Sequence, residues 1–213
     1  MSNDQFIPSE TAEAELIEKN SRFIGLVFPV SNDAGIRHEL EKLRTAHPKA
    51  NHVVWASRLA GELHPAEGFS DDGEPSGTAG MPVLKQLQHD ALLNCLVCVV
   101  RYFGGTKLGT GGLQRAYSRS ARMALTALAD AGALRSYQPQ YNARIACSFQ
   151  DQSDIRHLLS QMNIRVCDEG FTTEGVILTI EGDRPSLNRL RDSIGTLFHK
   201  AEFHEAEFQN AEF

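Results

Sequence analysis

Several function classes are made improbable by what the sequence does not contain. No run of apolar residues approaches the roughly 20 needed to cross a bilayer. The first 18 residues are acidic where a leader would be basic and then apolar. A soluble, cytoplasmic protein with no membrane partner is therefore the expectation. Cysteine is scarce, and its four copies, Cys95, Cys98, Cys147 and Cys167, lie in or beside apolar runs. Cys95 and Cys98 have the Cys-x-x-Cys spacing that can serve redox chemistry or zinc. They sit, however, in Leu92 to Phe103, an apolar β-branched run that reads as a buried strand. Residues three apart on a strand point to opposite faces, so the pair is expected neither to close a disulfide nor to share a metal. Gly104 to Gly109 lacks the Lys-Ser/Thr that completes a Walker loop. Gly-x-Ser-x-Gly and His-Glu-x-x-His do not occur. No cofactor and no metal site are expected, and His47, His52, His64 and His89 read as scattered surface or capping groups.

One absence is local. From Ala91 to Ala129 there is no Asp or Glu, while Arg101, Lys107, Arg115, Arg119 and Arg122 fall in that stretch of a chain whose net charge is -6. Charge of one sign has been gathered where the chain as a whole carries the other. Two loops frame the region. The first contains Ser70, Asp71, Asp72, Gly73, Glu74, Pro75, Gly77 and Thr78 and leads into a short helix over Met81 to Asp90, with Pro82 suited to its first turn. The second contains Gly104, Gly105, Lys107, Thr110, Gly111 and Gly112 and leads into the longest helix, Leu113 to Ala131. A helix start offers unpaired N–H groups and a partial positive charge, so both junctions are potential anion sites.

Periodicity places the remaining elements. Ser21 to Val30 and Asn51 to Leu59 read as strands, and Asn32 to Ala46 as a helix with Asn32 as its cap. The segment before Ser21 reads as polar and is given no element. In the long helix Leu113, Tyr117, Ala121, Ala124 and Leu128 step along one side, and Arg115, Arg119 and Arg122 along another. Beyond Ser136 the pattern becomes strand Tyr141 to Phe149, helix Ser153 to Met162, strands Ile164 to Gly170 and Val176 to Glu181, helix Ser186 to Phe198, and strand Ala201 to Phe208. That is a βαββαβ order, so an α+β chain of two domains, 1–136 and 137–213, is expected. A frayed acidic end is expected after the last strand.

Gly68-Phe-Ser-Asp-Asp-Gly-Glu-Pro-Ser-Gly-Thr-Ala-Gly80 and Val100-Arg-Tyr-Phe-Gly-Gly-Thr-Lys-Leu-Gly-Thr-Gly-Gly-Leu113 occur here in one order. Together with Lys19-Asn-Ser-Arg-Phe-Ile24 and His47-Pro-x-Ala50, they resemble the IMPACT family. The resemblance implies a ribosomal-protein-S5-domain-2-like N-terminal domain. It also implies a ferredoxin-like C-terminal domain similar to the last domain of translational elongation factors. For function it implies translational control, since eukaryotic members modulate a stress kinase of translation initiation.

Three readings of the residues remain open. Spaced cations and backbone donors suit a phosphate backbone, with RNA, free or in the ribosome, favoured over DNA by analogy of fold alone. The loops or a sheet edge can instead dock a protein partner. The Asp71, Asp72 and Glu74 carboxylates could serve a metal-dependent hydrolase. Against the first reading, the same arginines can pair with those carboxylates or simply solvate a helix face.

Overall fold

A computed structural model describes residues 5–61, 63–198 and 201–209, with side chains described to His204. The chain separates into two compact units, the first ending at Tyr137 and the second beginning at Gln138.

The first unit is organised on strand alternation that buries both faces. Its elements in order are β1 (Phe6–Pro8), β2 (Ala12–Glu18), β3 (Ser21–Pro29), α1 (Asp33–Ala46), β4 (His52–Leu59), β5 (Ala66–Ser70), α2 (Gly80–His89), β6 (Cys95–Tyr102), α3 (Thr110–Asp130) and β7 (Leu134–Ser136). Five strands pair in the order β2-β3-β6-β4-β5, every neighbour antiparallel. Central β6 is apolar almost throughout because helices cover both of its faces. Phe23, Val27, Val54, Ala56, Cys95, Val97 and Val99 pack with the inner faces of α2 and α3. Ile24, Val53, Leu96, Cys98 and Val100 share the other core with Ile36 and Leu43 of α1. Cys95 and Cys98 thus lie in different cores as free thiols, as strand geometry requires.

Asn32 caps α1 by accepting from the Gly35 N–H at 2.9 Å. The segment before Ser21, read as polar and given no element, forms β1 and β2. In β2 the alternation is Ala12, Ala14 and Leu16 inward, Glu13 and Glu15 outward. Alanine and glutamate favour helices, so propensity hides a period of two that pairing with β3 makes decisive. The β2–β3 connection is a two-residue turn at Lys19 and Asn20, with φ of 46° and 64°. Two left-handed residues match the twist of a hairpin, although the usual signal is Asn-Gly. β5, read as part of the acidic loop, is a short edge strand on β4.

The second unit runs β8 (Gln140–Ser148), α4 (Gln152–Gln161), β9 (Arg165–Phe171), β10 (Gly175–Gly182), α5 (Arg184–Leu197) and β11 (Glu202–Gln209). Its antiparallel sheet has the order β11-β8-β10-β9. Ile145, Leu178 and Ile180 on the strands meet Ile155 and Leu159 of α4 and Leu187, Leu190 and Ile194 of α5. Asp183 caps α5, accepting from the Ser186 N–H at 2.7 Å, with Pro185 in the first turn. The acidic end expected beyond 208 falls largely at 210–213, outside the described residues. Among the described residues, no helix is long and apolar enough to cross a membrane.

Candidate functional site

Because β5 and β6 are each antiparallel to β4, they run in the same sense and end at the same edge of the sheet. The register places Glu18, Ser21, Tyr102, His52 and the approach to Ser70 along that edge. Both loops leave from it, and α2 and α3 start beside each other there.

The acidic loop is an ordered turn in which each carboxylate has a different partner. Asp71 accepts from the N–H groups of Gly77, Ala79 and Gly80 at 2.8, 3.0 and 2.8 Å, so its charge occupies the start of α2. Asp72, at φ 43°, accepts from the Val53 N–H at 2.7 Å and meets Arg44 at 3.2 Å. Glu74 turns inward, receiving the Arg101 guanidinium and, at 2.7 Å, the Tyr117 hydroxyl. Burial and the bond to the Glu74 carboxylate push the Tyr117 phenol far above its usual range. His52 joins this group, with Nδ1 2.8 Å from the Asp72 carbonyl oxygen and Nε2 3.7 Å from Glu74. The Ser70 hydroxyl accepts from the Asp72 N–H, and Thr78 donates through N–H and hydroxyl to the Pro75 carbonyl. Gly73 and Gly77 take φ of 87° and 72°.

The glycine loop lies next to it. A Cβ at Gly104 would fall 2.0 Å from the Asn20 carbonyl, so only glycine lets this loop rest on the β2–β3 turn. The Gly104 N–H also donates to the Ser21 hydroxyl at 3.1 Å. Gly105 and Gly109 adopt φ of 85° and 72°. Gly109 precedes α3, and having no side chain it leaves the N–H groups of Thr110, Gly111 and Gly112 without a side-chain cap. Lys107, Thr110, Gly111 and Arg115 are exposed at this start, and Arg119 and Arg122 are exposed about two to three turns farther along α3. Arg119 approaches Glu18 at 4.0 Å, and Arg122 Nε donates to the Gln86 amide at 3.2 Å.

Two expectations require correction. Arg101, grouped with the anion-binding cations, is buried against Glu74 and stacked on the Phe23 and Phe103 rings at 5.4 and 5.5 Å. A guanidinium taken out of water needs its carboxylate, so Arg101 belongs to the interior network. The hydrolase reading needed Asp71, Asp72 and Glu74 to converge, and they diverge to a helix start, a strand N–H and a buried arginine. Among the described residues, no group of three or more His, Cys, Asp and Glu is placed to hold a metal ion. Sequence reasoning also missed His52 and Lys19 as neighbours of the site. Their signals, the register of β4 against β6 and the turn between the unrecognised β2 and its neighbour β3, are visible only in pairing.

The sequence model of the Impact N-terminal domain matches residues 19–125, which contain both loops. The chain is 34% identical over 155 residues to the Escherichia coli protein described as IMPACT family member YigZ, covering 72% of this chain and 74% of that one. It is 33% identical over 172 residues to an IMPACT family member of Haemophilus influenzae, covering 79% and 80%. A crystal structure of a hypothetical protein superposes on 100% of this chain and 99% of its own, at a TM-score of 0.73 and 27% identity.

Proposed function

The chain belongs to the IMPACT family, and from that premise we propose that it is a translation-related binding protein of the cytoplasm. Its first unit would hold the phosphate backbone of RNA, free or in the ribosome, at the start of α3. The family resemblance supplies the setting, translation, and the charge at the end of the sheet supplies the chemistry. The observation that carries the reading is the exposed stripe of Lys107, Arg115, Arg119 and Arg122, which runs from a helix start without a side-chain cap along α3, in a stretch without acidic residues. Backbone N–H groups and spaced cations match a polyanion better than a single buried ligand. The S5-domain-2-like reading of the first unit and the ferredoxin-like reading of the second belong to the same proposal. For the latter, support comes from the βαββαβ order with β8 and β10 central.

Each phosphate contact releases counterions, so the logarithm of affinity falls by roughly 0.7 to 0.9 per contact with the logarithm of salt. Changing Arg115, Arg119 and Arg122 together to Gln is expected to flatten that slope by about 2. The fold should survive, because glutamine suits a helix about as well as arginine. Filter binding of ribosomal RNA across a salt series measures it. A triple variant that binds as the parent does, or a parent that binds no RNA, rejects this reading in favour of a protein-docking one.

A further inference from the structure

The α2–α3 pair carries more than a charged rim. A hollow of about 280 Å³ lies between the two helices, walled by Met81, Pro82, Lys85 and Gln86 of α2 and by Gln114 and Arg115 of α3. Its chemistry is graded. Met81 and Pro82 are half-buried and apolar, Gln86 and Gln114 bring amides that both donate and accept, and Lys85 and Arg115 place one exposed cation on each wall. Across Arg115 lies a second hollow of about 200 Å³, lined by Glu18, Lys19, Leu108, Gly112 and Arg119. Arg115 lines both, so a chain leaving the first hollow passes a cation shared with the second.

We propose that these hollows form a track for single-stranded RNA, with one unstacked base seated between α2 and α3 and its flanking phosphates held by Lys85 and Arg115. This rests on the phosphate-backbone reading and goes beyond it by naming the strandedness, the base seat and Lys85, which lies outside the acid-free stretch. The charge is complementary to a polyanion, and the apolar floor with its amides suits a base face and a base edge. The volume falls just short of the range of ligand pockets, so the hollow is offered a base alone, with sugar and phosphates outside it. A duplex keeps its bases stacked and could offer this site only phosphates, whereas a single strand can fill both parts. Glu18 opposes an anion in the second hollow, and its removal should tighten binding.

The test is fluorescence anisotropy with the full chain and a dye-labelled RNA of about a dozen nucleotides, presented single-stranded and as a duplex, across a salt series. The parent is expected to bind the single strand about tenfold more tightly than the duplex. Lys85→Gln should flatten the single-strand salt slope by about 0.7. Gln114→Ala, at an exposed helical position, should weaken single-strand binding about fivefold with the slope unchanged. Glu18→Gln should strengthen it. Met81→Ala serves as a second probe of the base seat, read together with its melting temperature. Equal affinity for both forms, or Lys85→Gln and Gln114→Ala variants that bind as the parent does, overturns the base seat. If the triple arginine variant still loses its slope in that case, the phosphate-backbone reading stands alone. If no RNA binds in any form, both readings fall together.

Discussion

Glu74 shows how one side chain ties the two motif loops together. Its carboxylate receives Arg101 from the central strand and Tyr117 from α3, with His52 nearby, all in the interior. Removing one member of a buried pair leaves the other charge without compensation, which typically costs about 3 to 5 kcal/mol. Glu74→Gln is therefore expected to lose about 3 kcal/mol in denaturant unfolding. A loss under about 0.5 kcal/mol, the level of an ordinary surface change, would mean that Arg101 finds water instead. The cysteines give a second prediction at this scale. Burial pushes the Cys95 and Cys98 thiols far above their usual range, Cys147 is also buried, and only Cys167 is exposed. Although exposed, the Cys167 thiol is also raised, by the desolvation its neighbours impose and by the nearby Glu181 carboxylate. One thiol per native chain should alkylate, and its rate should climb at a pH above the roughly 8.5 of a free cysteine, since a raised value delays the thiolate. Fast modification of Cys95 or Cys98 before unfolding would contradict a closed sheet.

At the scale of elements, the two helix starts on one edge are treated differently. The start of α2 is closed by the Asp71 carboxylate, while that of α3 has no side-chain cap. Asp71→Ala strips three N–H groups of their acceptor and is expected to cost about 2 kcal/mol, the upper range for a cap. Faster hydrogen exchange at Gly77, Ala79 and Gly80 would report it. Exchange unchanged at those amides would show that the loop holds itself without the carboxylate. The helices α1, α2 and α3 were legible because apolar residues recur at helical spacing and Asn32 supplies a recognisable cap. β2 and β5 were not, since Ala-Glu alternation and a Gly-containing edge have weak strand propensity and become strands only by pairing with β3 and β4.

For the whole molecule, the change of pattern after Leu134 marks two units, but it does not mark where the first one ends. β7 pairs with β1, and the Tyr137 N–H donates to the Gln5 carbonyl at 2.7 Å, so Leu134 to Tyr137 are tied to the first unit. Limited proteolysis should therefore cut within 138–140 and spare 134–137, releasing fragments that each retain structure. Cleavage confined to the acidic and glycine loops, with the joint intact, would argue against separately stable units. Residues 5–9 should also matter to the first unit, because β1 bonds both β7 and the segment before β6.

The sequence by itself determined the two loops, the helical faces and the βαββαβ order, because glycine content, capping residues and apolar period are local properties of a chain. It also separated Cys95 from Cys98, since strand geometry alone puts them on opposite faces. Only the tertiary structure decided which cations of the acid-free stretch face outward. Arg101 and Arg115 are the same residue type in the same run. The strand carrying Arg101 is covered on both sides, and Glu74, 27 residues earlier, is brought to meet it. Arg115 stands on the outer side of a helix whose inner side is already filled by Leu113, Ala116 and Tyr117. Burial and a partner distant in sequence are properties of the packed sheet, and no local pattern encodes them.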